Sequence, residues 1–205
     1  MYRLTRHVYD ASRRYYLFGR DLMLKMMAIR PGDRVLEMGC GTARNLIKLH
    51  RLHPQAYLYG LDASRSMLQT AEQSAARWGC ADKITLRHCL AEQLEHARVF
   101  GLPERFDVIF FSYSLSMMPT WPAALEAAIA NLKPDGVIYI VDFWDQAGLP
   151  RIFAGTLKRW LVLFGVHYRW ELTEYLRGLE EKKRCRLTIE GIGGRYAYLA
   201  TVKPV

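Results

Sequence analysis

The chain has 205 residues, 51% of them apolar, a formal net charge of +9 and four cysteines. That length and apolar content allow one domain with a substantial core and exclude a disordered chain, and no apolar run approaches the roughly 20 residues of a membrane-spanning helix. Cys40, Cys80, Cys89 and Cys185 lack C-x-x-C spacing, which argues for free thiols in a reducing compartment and against a metal site.

The positive charge favours an anionic partner, whether nucleic acid, acidic small molecule or membrane, and its distribution singles out the N-terminus. Arg3, Arg6, Arg13, Arg14 and Arg20 crowd the first twenty residues, in a segment, MYRLTRHVYD, that lacks a signal-peptide core. On a helical wheel Leu4, Val8, Ala11 and Tyr15 share one face while Arg3, Arg6, His7, Arg13 and Arg14 share the other. Residues 1–30 therefore read as an N-terminal helical cap, whose basic face is either solvated or set against anionic headgroups.

From Asp33 onward apolar runs alternate with helical patterns: RVLEMG, YLYGLD, ITLRHC, DVIFFS and VIYIVD, with SRSMLQTAEQSAARW and WPAALEAAIANLK among the intervening segments. This alternation predicts βαβ units around a parallel sheet over residues 33–143. Such sheets bind ligands beyond the C-terminal ends of their strands. The residues of interest are then Glu37 to Gly41 after the first strand, Asp62 after the second, Cys89 to Glu92 after the third and Ser112 to Ser114 after the fourth. The loop after the first strand departs from a dinucleotide fingerprint, because the third glycine of G-x-G-x-x-G falls at Arg44 and Glu37 would repel a pyrophosphate. Asp62, 23 residues after Gly39, suits an acceptor for ribose hydroxyls or a cap for the helix starting near Ser64, and the two roles are compatible.

Residues 149–178 carry a helical pattern that is apolar nearly all round, including Ile152, Phe153, Leu157, Trp160, Leu161 and Phe164. It reads as a helical insertion that is either core or lid. The end of the chain, RCRLTIE, GIGG and RYAYLATV, predicts an antiparallel hairpin over residues 184–202. The expected whole is a single α/β domain, residues 1–205: a Rossmann-like fold with a mostly parallel seven-stranded sheet, a C-terminal antiparallel strand and an extra N-terminal helical segment.

Glu37, Gly39, Gly41 and Asp62, together with LKPDGVIYIVDF, resemble the class I S-adenosylmethionine-dependent methyltransferases over roughly residues 33–143. The resemblance implies that the loop cradles the methionine end of S-adenosylmethionine. Its sulfonium and ammonium suit Glu37 as a pyrophosphate would not. It places Glu37, Gly39, Gly41, Asn45, Asp62, Ala63, Met67, Ala91, Glu92 and Ser112 against the cofactor. Many members carry an aspartate for the adenine amino group where this chain has Leu90, which leaves Glu92 either as the substitute or as a solvated acid in the first turn of the next helix.

A narrower resemblance rests on HVYDASRRYYLFGRD, GCGTARN, FDVIFFSYSLSMMPTW and GRYAYLATV, which look like the diacylglyceryl-homoserine N-methyltransferases of betaine-lipid synthesis. It implies methylation of a lipid headgroup amine, yielding diacylglyceryl-trimethylhomoserine. Tyr113 and Tyr16 are the expected catalytic residues, and Tyr9, Arg13, Tyr15 and Arg20 the expected substrate or carboxylate ligands. The expected partners are an anionic membrane surface and an enzyme supplying diacylglyceryl-homoserine, with no nucleic acid and no metal. The expected location is cytoplasmic, peripheral at the inner membrane face. Alternatives are a phospholipid or small-molecule amine or hydroxyl as acceptor, a nucleic-acid methyltransferase, or a non-catalytic membrane-binding module.

Overall fold

The computed structural model describes residues 17–148 and 169–205. Tyr9, Arg13, Tyr15, Tyr16 and the first part of the 149–178 segment lie outside the described residues.

Seven strands form one sheet in the order β3-β2-β1-β4-β5-β7-β6. They are β1 (Arg34–Met38), β2 (Tyr57–Asp62), β3 (Ile84–His88), β4 (Phe106–Ser112), β5 (Leu132–Phe143), β6 (Cys185–Ile192) and β7 (Ala197–Pro204). The first five pair in parallel, while β7 runs antiparallel to both β5 and β6. The terminal hairpin of the sequence is present, but its second strand inserts between β5 and β6. Sequence patterning shows that two strands pair through a turn. It does not show which of them a third strand accepts.

Each central strand is buried on both faces, which is why these runs are apolar throughout. Val35, Val108 and Phe110 point into one core, and Leu36, Met38, Ile109 and Phe111 point into the other. The first core is closed by α1 (Arg20–Met26), α2 (Arg44–Leu52) and α3 (Arg65–Arg77) through Met23, Leu24, Leu46, Leu49, Leu68 and Ala71. The second is closed by α4 (His96–Phe100), α5 (Trp121–Ala130) and α6 (Trp170–Glu181). In α6, Leu172, Leu176 and Leu179 are buried in that core. The described part of the 149–178 segment is therefore not a lid: it is the packed crossover helix into β6, and it continues to Glu181.

The N-terminal cap also divides differently from its expected outline. Leu17 is buried in the first core with Met23, Leu24 and Met27. The Phe18 ring stands edge-on to Tyr196, with centroids 5.3 Å apart. A Cβ on Gly19 would lie 2.5 Å from the Ile192 side chain. Residues from Leu17 onward are thus part of the fold, where the sequence pattern alone starts the sheet domain at Asp33.

Candidate functional site

The strand order reverses between β1 and β4, and at that point a cavity of about 1060 Å³ opens at the C-terminal ends of the strands. Binding cavities commonly span about 300 to 1000 Å³, so this one has room for a cofactor and part of an acceptor. Glu37 and four stretches line it: Leu17 to Leu22, the loop from Gly39 into α2, Asp62 to Met67 without Arg65, and Ser112 to Met118 without Leu115 and Ser116.

The loop is shaped by its own hydrogen bonds. Gly39 and Cys40 both donate from backbone N–H to the Leu61 carbonyl at 2.9 Å, tying the end of β1 to β2. Gly39, Gly41 and Ala43 all have positive φ, and the left-handed Ala43 caps the start of α2. The two glycines serve different purposes. A Cβ on Gly39 would meet the Ser114 Cβ at 2.7 Å, whereas a Cβ on Gly41 would meet nothing within 4 Å. Gly39 lets the end of β4 approach, and Gly41 leaves space open. Ser114 completes that approach by donating its hydroxyl to the Met38 carbonyl at 2.8 Å.

Glu37 is 2% exposed at the floor of the cavity. One carboxylate oxygen accepts from Asn45 Nδ2 at 2.7 Å, and the other, also buried, has no partner. Burial pushes its pKa up to about 8, against the opposing effects of the Asn45 hydrogen bond and the Arg20 charge. A buried acceptor of this kind is costly unless a donor meets it. The ammonium of an amino-acid moiety would be such a donor, and the open space at Gly41 is where backbone would admit the ligand. Asn45 is held in turn by Arg44, whose guanidinium donates to the Asn45 side-chain oxygen at 3.2 Å and to Asp21 at 3.0 Å. Lys48 pairs with the other Asp21 oxygen at 2.7 Å. Burial raises the Asp21 pKa, but the hydrogen bonds and charges of Arg44 and Lys48 outweigh it and leave the carboxyl at about 2.

Asp62 accepts from the Gly41 N–H through one oxygen and from the Ser64 N–H through the other, each at 2.8 Å. It therefore holds the glycine loop to the end of β2 while lining the cavity. The cap of α3 is Ser64, whose hydroxyl accepts from Met67 N–H, so the helix-capping alternative for Asp62 belongs to its neighbour. Asp62→Ala is expected to raise the dissociation constant for S-adenosylhomocysteine by about one to two decades. Loss of a charged acceptor contributes roughly 1.5 to 3 kcal/mol. Calorimetry checks this, and an unchanged constant in a folded variant would contradict the assignment.

Of the other expected cofactor residues, Gly39, Gly41, Asn45, Ala63, Met67 and Ser112 line the same cavity. The buried Ser112 hydroxyl has no hydrogen-bond partner. Ala91 and Glu92 are not brought there: Ala91 is buried in the second core, and Glu92 lines a separate shallow depression with Glu95 and Arg98. They occupy a short 3₁₀ turn, Ala91–Gln93, which directs Ala91 inward. Position after the third strand predicted neighbourhood but not direction.

Tyr113 also differs from its expected catalytic role. It lines the cavity but is 2% exposed, and its hydroxyl donates to the backbone carbonyl of Phe18. Its ring packs edge-on against Phe143 with centroids 4.6 Å apart, and burial raises the phenol pKa well above its ordinary value. The hydroxyl thus fastens the Leu17 to Leu22 strap to the end of β4. Tyr113→Phe is expected to weaken cofactor binding about three- to tenfold, the equivalent of one lost hydrogen bond of about 1 kcal/mol. Turnover at saturation should be little changed. A fall in kcat of about 10²-fold or more, as for loss of an acid–base group, would restore the catalytic reading.

Arg20 is the one expected carboxylate ligand within the described residues; it lines the cavity and donates from Nε to the Leu17 carbonyl. Sequence reasoning missed Asp21, Arg44, Lys48, Met117 and Met118, which share the lining. The available signal was the helical register of Arg44, Asn45 and Lys48 at the start of α2, which aims charge at the loop. Among the described residues no cluster of three or more His, Cys, Asp or Glu side chains is arranged to hold a metal ion.

A family model described as a methyltransferase domain matches residues 29–182. The chain belongs to that family. Demethylmenaquinone methyltransferase from Geobacillus sp. (strain WCH70) is 28% identical over 170 residues, covering 80% of this chain and 69% of the relative. Trans-aconitate 2-methyltransferase from Deinococcus radiodurans is 30% identical over 121 residues, covering 59% of this chain and 42% of the relative. Among solved structures, an S-adenosylmethionine-dependent methyltransferase from Aquifex aeolicus superposes with a TM-score of 0.68 at 19% identity. That superposition covers 97% of this chain and 96% of the other. The protein is a methyltransferase with the Rossmann-like methyltransferase fold, and family and fold imply S-adenosylmethionine as its methyl donor.

Proposed function

We propose that this methyltransferase modifies the amine of a membrane lipid headgroup, converting diacylglyceryl-homoserine to diacylglyceryl-trimethylhomoserine. The observation that carries the reading is the mixed character of the cavity. Its outer wall is apolar, formed by Phe18, Leu22, Met117 and Met118, while Arg20 and the Arg44 and Lys48 pair that shares Asp21 supply positive charge beside them. An acyl-linked headgroup bearing a carboxylate meets both features. The sequence resemblance of GCGTARN and FDVIFFSYSLSMMPTW to the betaine-lipid enzymes points the same way.

When bound, S-adenosylmethionine supplies a methyl group activated on a sulfonium. Glu37 and Asp62 would hold its ammonium and ribose, and Gly41 would leave room for it. The remaining work of the protein is alignment. An amine that has lost its proton is nucleophilic, so the site must bring the lone pair to about 3 to 3.5 Å from the methyl carbon. Among the described residues the cavity lining contains no histidine, and the Tyr113 hydroxyl is committed to Phe18. The described lining therefore suits an acceptor that needs no strong general base, as an amine does. With the acceptor seated, Met117, Met118 and Phe18 would shield that region from water, and Arg20, Arg44 and Lys48 would orient a headgroup carboxylate.

The same reading sets the protein at an anionic membrane surface on the cytoplasmic side of the inner membrane. There it follows an enzyme that supplies diacylglyceryl-homoserine and has no nucleic-acid or metal partner. A second reading takes the acceptor in the relatives' name, demethylmenaquinone, which the apolar wall favours and the three cations do not. Labelled S-adenosylmethionine incubated with pools of membrane lipid, quinone, RNA and small amines separates these readings. Label in diacylglyceryl-trimethylhomoserine supports the proposal, and label confined to quinone, RNA or small amines contradicts it.

A further inference from the structure

The cavity opens through a rim whose apolar residues are exposed. Phe18 is 56% exposed, Leu22 48% and Met26 42%, and Met117 across the mouth is also exposed. Phe18, Leu22 and Met117 line the cavity as well. Leu22 and Met26 stand at i and i+4 on one side of α1, and Phe18 lies in the turn just before the helix. The other side of α1, Met23 and Leu24 with Met27 just beyond, is fully packed into the core. The exposed side chains of Leu22 and Met26 are therefore surplus to the fold. They are also fixed in place: the Phe18 carbonyl is held by Tyr113, its ring stands against Tyr196, and Asp21 is pinned by Arg44 and Lys48.

Charge around this strip is predominantly positive, although Asp21 pairs with Arg44 and Lys48. Arg20, Lys25 and Arg30 lie in or beside α1, and Arg44 and Lys48 stand across from it on α2. Against these five cations, residues 17–30 and 44–48 carry one carboxylate, Asp21. An apolar strip bordered by cations is complementary to a bilayer with anionic headgroups: apolar side chains enter the acyl boundary while Lys and Arg remain at headgroup level. Cations near such a surface add electrostatic attraction that salt screens.

We propose that the exposed strip of α1, with Met117 across the cavity mouth, is an interfacial docking surface that seats the cavity directly on an anionic lipid bilayer. The proposal rests on the lipid-acceptor reading and adds the surface and orientation through which it operates. A lipid headgroup then enters from the bilayer between Phe18, Leu22 and Met117 without its acyl chains crossing water. The docking contact lies within the described fold.

The test uses full-length protein and flotation with two vesicle types, phosphatidylcholine alone and an equal mixture with phosphatidylglycerol. Wild type is expected to float with the mixed vesicles and much less with the neutral ones, and high salt should weaken the association. Leu22→Ser combined with Met26→Ser should lower partitioning onto mixed vesicles about tenfold, from loss of inserted apolar surface. Both positions are exposed, so an unchanged melting temperature confirms that the fold is retained. Wild-type partitioning by a folded double variant overturns the proposal, as does wild-type protein that fails to bind mixed vesicles. A concentration-dependent dimer that the double variant abolishes, without vesicle binding by either protein, assigns the strip to self-association and also overturns it. Methylation of detergent-dispersed diacylglyceryl-homoserine, run in parallel, tests the acceptor separately. Docking with no methylation retains the surface and removes the acceptor, and methylation with no docking does the reverse.

Discussion

A Gly41→Val variant is expected to fold and to lose cofactor binding altogether. The Cβ position at Gly41 meets no protein atom within 4 Å, so the substituent enters the cavity and not the core. The cost to the fold is the left-handed conformation, φ +54, at about 1 to 2 kcal/mol for a residue with a Cβ. A domain with roughly 5 to 15 kcal/mol of stability tolerates that loss. The branched side chain then occupies the space through which the ligand would approach the loop, and affinity for S-adenosylhomocysteine should fall at least about 100-fold. Gly39→Ala should behave differently, because its Cβ meets Ser114 at 2.7 Å and disturbs the junction of β1 and β4. Its main effect should be a lowered melting temperature. Calorimetry beside thermal unfolding distinguishes the two, and a Gly41→Val protein that keeps its shape and its affinity would show that the loop does not border the ligand.

The second large effect concerns Glu37 and pH. Its carboxyl has an unfolded value near 4.5 and a folded value of about 8 without ligand, raised mainly by burial. Because the folded value lies above the unfolded one, this group's contribution to stability is fully present below pH 4.5. It declines as pH rises toward 8. Asp142, buried and raised to about 6 despite hydrogen bonds from Ser116 and Phe143, acts in the same direction over a narrower range. The ligand-free protein should therefore melt at a lower temperature near pH 8 than near pH 5 through these two groups, and Glu37→Gln should reduce that dependence.

Binding has the opposite sign. An ammonium ligand favours the ionised carboxylate, so affinity should rise by up to about tenfold per pH unit between about pH 5 and 7, where the ligand amine stays protonated. In Glu37→Gln the slope should flatten, and affinity near pH 7 should drop by about one to two decades. Proton release on binding, measured in buffers of different ionisation enthalpy, checks the linkage independently. Equal affinity at both ends of the range in the wild type would mean that Glu37 does not meet the ligand's charge.

Much of this site could be read from the chain because its parts are local to strand ends. Glu37 and Asp62 each close an apolar strand, and the glycines lie between strand and helix, so pattern alone placed them together. What escaped the sequence depends on contacts between distant segments. The Phe18 strap belongs to the cavity through a hydrogen bond from Tyr113, 95 positions away, and no local periodicity encodes it. For the same reason Tyr113 was readable as a residue at the site but not as a tether, since position fixes neighbourhood and leaves the direction of a hydroxyl open. The insertion of β7 between β5 and β6 is likewise a choice among partners. It is decided by burying Ala197 and Leu199 in one core and Tyr198, Ala200 and Val202 in the other. Sequence alternation permits that arrangement without selecting it.

The central claim is that the cleft closed by Glu37, Gly41 and Asp62 is a site for S-adenosylmethionine and not for a dinucleotide. Calorimetric titration of wild-type protein with S-adenosylhomocysteine and, separately, with NADH tests it most directly. S-adenosylhomocysteine is expected to bind with a stoichiometry near one site per chain, with proton release on binding near pH 6, and NADH to give no saturable heat. Saturable binding of NADH with none of S-adenosylhomocysteine would contradict it.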